Sequence, residues 1–154
     1  GDAFVVPGEL DSPSIRVWAE TVRHPDAPRL SGESERHSYR SPSYTGWAHF
    51  CRDAGIYELF YGDAGLLARH PGAATILPEH LVTVREALAR HLAKPWPAAE
   101  RICGWEEATP ERDWRAINDT PDSRYDATWA RLVWLEWWFG WALQNCKNPC
   151  FANM

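Results

Sequence analysis

The sequence predicts a mainly α, single-domain helical bundle spanning residues 1–154, with a Trp-rich C-terminal helix buried at its centre and a small β element near the N-terminus. Three observations lead there. A chain of 154 residues suits one domain and can bury about 70% of its unfolded surface without staples. Residues 79–93 carry a clear amphipathic helical period. The stretch "LVWLEWWFGWAL", 132–143, is apolar at ten of twelve positions and holds four of the chain's ten tryptophans. Each tryptophan can bury about 150–250 Å², so the aromatics can supply much of a core.

Taken in order, "DAFVV" (2–6) is β-prone and ends at a Pro-Gly turn signal. "DSPSIRVWAETV" reads as a helix, with Ser12 as cap, Pro13 at the first helical position and Ile15, Trp18, Ala19 and Val22 at helical spacing. A strand through Ile15, Val17 and Ala19 is the competing reading. Residues 24–46 form a long Pro- and Ser-rich loop, solvated or functional. "WAHFCRDAGIYELFYG" (47–62) predicts two short helices, with Gly55 as a left-handed stop and Ile56 folding back on the turn before it. Residues 62–75 read as a connection.

"LPEHLVTVREALARHLAKP" predicts a helix opened by Pro78, with Leu81, Val84, Leu88 and Leu92 as its stripe and Pro95 as its stop. Residues 94–123 read as loop-rich, with a short helix from Thr109-Pro110. Ser123 and Asp126 resemble an acidic capping box, so the last helix is expected from about Arg124 to Asn145, before Asn148-Pro149. Helices 47–61 and 79–93 are expected to pack on it.

Charge and composition narrow the function. Net charge is −5, and the segment 100–126 holds eight acids against four arginines. That disfavours a phosphate backbone as partner, and no basic run elsewhere compensates. The run 132–143 is about 18 Å long against about 30 Å of hydrocarbon, so no membrane span is expected. The four cysteines read as free thiols, and a cytoplasmic protein is the expectation. Abundant Ala, Arg, Pro and Trp suggest a GC-rich, bacterial coding sequence. No Gly-rich phosphate loop, HExxH motif or nucleophile elbow is present, and neither Cys146/Cys150 nor His49/Cys51 completes a metal site. No catalytic residue, metal or cofactor is assigned.

The unusual residue is Glu136, an acid inside the apolar run with Gly140 one turn beyond. Projected at about 100° per residue, one side of the helix carries Tyr125, Trp129, Leu132, Val133, Glu136, Phe139, Gly140 and Leu143. The other carries Arg124, Ala127, Arg131, Trp134, Trp138 and Trp141. Both sides are expected to be largely covered. A buried Glu136 needs a partner such as Arg52, Arg85 or His91, a set of Trp and Tyr donors, or a proton. It is either a polar anchor of the core or the negative floor of an aromatic pocket suited to a cation or a polar heterocycle. The ligand-binding candidates are Glu136, Trp129, Tyr57 and His91. His91 also reads as a satisfied, semi-buried core histidine. Arg131, Trp134, Trp138 and Trp141 are either core or, if exposed, an interaction patch through which the chain would form homo-oligomers. The function expected is a non-catalytic binding or interaction module. The alternative is a small hydrolase using Glu136 or a histidine as acid/base, with the 24–46 loop over its pocket.

Overall fold

A computed structural model of the protein describes residues 15–16, 24, 26–28, 44–68, 72–104 and 123–153. Among these lie four helices: α1 (Tyr44–Asp53), α2 (Tyr57–Tyr61), α3 (Pro78–Leu92) and α4 (Ala127–Asn145). Three short strands, β1 (Ile15–Arg16), β2 (Gly72–Thr75) and β3 (Cys150–Asn153), form one sheet in the order β1-β3-β2. The chain is mainly α, and its Trp-rich C-terminal helix is the element around which the rest packs.

α1 ends as its residues dictate. Gly55 adopts φ +72°, a left-handed conformation open to glycine without a Cβ penalty. Its N–H bonds the Arg52 carbonyl (3.2 Å), and the Ile56 N–H reaches back to Cys51 (2.8 Å). This pair of bonds is a Schellman stop, and Ile56 is buried behind it. α4 ends where Asn148-Pro149 requires, with Cys146 as its last cap.

α3 has the expected length, but its buried seam is turned from the expected one. Leu81, Val84, Ala87 and His91 are buried, Leu88 is partly buried, and Leu92 is 40% exposed. The i, i+3, i+6, i+10 row faces α4, so a histidine stands where the apolar stripe placed Leu92. At its start, the His80 Nδ1 accepts the Leu77 backbone N–H (2.9 Å), the role a Glu or Gln plays in a capping box.

The start of α4 also differs from expectation. Asp126, not Ser123, is the N-cap, and its carboxylate accepts the Trp129 N–H at 3.0 Å. With a tryptophan three residues on, no reciprocal box closes.

The helix read through 12–22 is not borne out at Ile15–Arg16, which are extended and pair in parallel with Phe151 and Ala152. β2 and β3 were not expected either. They pair antiparallel from Gly72↔Asn153 to Thr75↔Cys150, and Ile76 extends the ladder to the Pro149 carbonyl at 2.8 Å. The strand read at 2–6 and the short helix from Thr109 lie outside the described residues.

The core is aromatic. Trp47 meets Phe50 at 4.7 Å, Phe60 edge-on at 5.4 Å and Trp134 edge-on at 5.8 Å between ring centroids. Phe151 of β3 closes the group against Phe60 (5.2 Å) and Phe139 (6.0 Å). Such tilted and edge-to-face pairs contribute about 0.5–1.5 kcal/mol each beyond their buried area. Phe151 is thus the reason a four-residue strand holds its place: its ring anchors β3 in the core built by α1, α2 and α4.

Candidate functional site

Two carboxylates on α4, about 15 Å apart along its axis, have opposite surroundings. Asp126 at the N-cap is 2% exposed. The His91 Nε2 donates to its Oδ2 at 2.7 Å, and the Arg101 Nε donates to the same oxygen at 2.9 Å. Burial alone would raise the Asp126 carboxyl, but the bonds from Trp129, His91 and Arg101 outweigh it and hold the group below its ordinary range. Arg101 also donates to the carbonyls of His91 (3.1 Å), Leu92 (3.3 Å) and Lys94 (3.0 Å) at the end of α3. One arginine therefore ties the last turn of α3 to the first turn of α4. Beside it Ile102 bridges to Tyr125 in parallel, with 2.8 Å bonds from Ile102 N–H to Arg124 and from Asp126 N–H to Ile102.

Asp126 and Arg101 were missed as site residues. Asp126 showed as a helix-start signal and as one of the eight acids of the segment 100–126, and Arg101 only as one of its four arginines. The one available sequence signal was Asp126 directly before the apolar run, where an N-cap belongs.

Glu136 is the second carboxylate, and the burial expected for it is not found. Its side chain is 37% exposed, and its partner is Arg85 of α3, at 3.7 Å and itself 60% exposed. The side of α4 that carries it faces partly outward: Trp129, Val133, Glu136, Trp137, Gly140 and Leu143 are all half-buried. Seven residues part Trp129 from Glu136, two turns along one face. A Cβ placed on Gly140 would meet nothing within 4 Å, so open space lies one turn beyond the acid. The His24 ring rests against Trp137, centroids 5.1 Å apart, which sets His24 beside this face.

The other predicted residues disperse. His91 belongs to the Asp126 cluster, and its Nδ1 is sealed from solvent without a partner. Tyr57 stacks on Tyr61 (5.0 Å) beneath Arg52 (4.6 Å), a group of its own. Trp134, Trp138 and Trp141 are 1%, 0% and 7% exposed, so they are core and make no patch. Arg131 lies against Phe50 at their edge. An oligomer interface through those four residues loses its surface.

Burial pushes the Cys51 thiol up to about 12 and the Cys146 thiol up to about 11, so both stay protonated near neutral pH. No group of three or more metal-ligating side chains occurs among the described residues, and no helix there is long and apolar enough to cross a membrane. No protein-family model matches the chain, and no curated protein or solved structure does either.

Proposed function

We propose that the protein is a non-catalytic binding module that holds a cation, or the cationic edge of a polar heterocycle, on the outward face of α4. The observation that carries this reading is Glu136. It shares the half-buried outer side of α4 with Trp129 and Trp137, beside the open space at Gly140, and is met by one long contact from an exposed arginine. A carboxylate among aromatic faces suits an organic cation by charge and by cation–π attraction. The Arg85 guanidinium occupies the place such a ligand would take, and its exposure lets it move aside at little cost.

An enzymatic role has less support. His91 would be the acid/base, yet its free nitrogen is shut in and its other nitrogen is committed to Asp126. Glu136 has no second carboxylate or histidine as partner among the described residues.

The test is a melting assay with tetramethylammonium chloride, arginine amide and sodium chloride at equal ionic strength. The organic cations should raise the Tm saturably and sodium should not. Glu136→Gln should abolish that rise while leaving the unliganded Tm in place. Identical melting in all three salts would overturn the reading.

A further inference from the structure

The outer face of α4 already carries a heterocycle of the chain's own. The His24 ring lies against Trp137 with centroids 5.1 Å apart and planes tilted by 54°. Two backbone bonds shape the segment that presents it. The Asp26 N–H donates to the His24 Nδ1 at 3.1 Å, and the Ala27 N–H bonds the His24 carbonyl at 3.1 Å. Ala27 is buried in the core, so this segment is pinned to the body of the protein. Asp26 is 81% exposed, with its carboxylate 3.8 Å from the same Nδ1.

The hold on the imidazole itself is light. Nδ1 serves as an acceptor, which in the neutral ring leaves the hydrogen on Nε2, and that atom bonds nothing among the described residues. The ring meets no aromatic group other than Trp137 there. Which side of Trp137 it covers follows from the helix. At about 100° per residue, Val133 and Gly140 lie between Glu136 and Trp137, and Trp138 lies about 100° further round. Trp138 is buried and backs Trp137 edge-on at 4.8 Å. The side of Trp137 left for another ring is the one turned to water and to the open space at Gly140, and His24 takes it.

We propose that His24 is the specificity-determining residue of the cation face: its imidazole holds the stacking place on Trp137, so a flat heterocyclic cation must displace it, whereas a compact cation beside Glu136 need not. This role rests on the cation-binding reading of that face. An aromatic pair of this kind weighs about two- to tenfold in an equilibrium. A face left open only in that fraction of molecules binds flat cations more weakly in the same proportion.

The test uses the whole chain, with N-methylpyridinium chloride and tetramethylammonium chloride titrated by calorimetry at constant ionic strength. His24→Ala should bind N-methylpyridinium about two- to tenfold tighter than the parent does, and tetramethylammonium equally well. His24→Phe keeps a ring on Trp137 and should bind N-methylpyridinium no tighter than the parent. In proton NMR of the parent, the His24 ring signals should lie upfield, under the ring current of Trp137. They should return downfield as N-methylpyridinium saturates the protein. If His24→Ala leaves N-methylpyridinium binding unchanged or weakens it, the proposal is overturned and the cation face stands. An equal gain for both cations would overturn it too, as would His24 signals that stay in place through the titration. Absence of binding by either cation, to the parent and to His24→Ala alike, would overturn the cation face and this role with it.

Discussion

Asp126 and Glu136 are carboxylates of one helix, yet they do different work. Asp126 accepts from a backbone N–H, a histidine and an arginine in a closed space, and through them joins α3 to α4. Glu136 meets a single arginine at 3.7 Å on a face open to water. The apolar neighbours of Glu136 in the sequence suggested the reverse. What decides the matter is where α3 lies. Its seam meets α4 through Leu81, Val84, Ala87 and His91, and His91 brings the polar contact to the start of α4 rather than its middle.

The comparison can be broken most forcefully at Asp126. Asp126→Ala removes the acceptor of a buried pair and the helix cap together, and should cost about 3–5 kcal/mol in urea unfolding. A loss below about 1 kcal/mol would mean that the cluster does not hold the helices. Arg101→Met should cost about 1.5–3 kcal/mol, the range for hydrogen bonds to a charged group, and should speed amide exchange at the end of α3. Unchanged exchange there would separate Arg101 from α3.

Gly140 sharpens the other side of the comparison. With open space around it, Gly140→Ala should stabilise the protein by up to about 1 kcal/mol through helix propensity. The added methyl should also weaken organic-cation binding, if the notch beside Glu136 is where the ligand sits. Destabilisation by alanine would show that the space is filled.

Two pH effects are smaller and separable. The folded Asp126 carboxyl lies below its unfolded value of about 3.9. Its contribution is therefore complete above that value and is lost as pH falls through the folded one. Asp126→Asn should flatten this acid limb. His80 is shifted down by burial, partly offset by Glu79, and its Nδ1 must stay unprotonated to accept the Leu77 N–H. Its contribution is complete above about pH 6.5 and fades as pH falls through the lowered value. His80→Gln keeps an acceptor at that position and should remove the dependence. A persisting slope between pH 5 and 7 would place its source elsewhere.

Features set by neighbouring residues were legible in the sequence. The Schellman stop at Gly55, the span of α3 and the end of α4 before Asn148-Pro149 each follow from a few adjacent side chains. The sheet was not legible. Its strands are two to four residues long, and β1 and β3 come from opposite ends of the chain. No local period can announce such a pairing. The tryptophans show the same limit. Composition said that they were plentiful, but only the packing of α1 and β3 against α4 decides that Trp134 and Trp138 are core while Trp137 stays half-open. For the candidate site, Glu136, Trp129 and Gly140 were correctly read as one side of a helix, and Arg85 was among the partners considered for the acid. Asp126 and Arg101 escaped because their contacts with each other and with His91 exist only in three dimensions.

The most direct measurement is a side-by-side urea unfolding of Asp126→Asn and Glu136→Gln. Asparagine still caps a helix, so the first variant isolates the charge of the cluster. It should lose about 3 kcal/mol or more, and Glu136→Gln less than about 1 kcal/mol. If Glu136→Gln falls as far as Asp126→Asn, the acid at 136 is itself an anchor of the fold, and the division of the two carboxylates between structure and recognition is wrong.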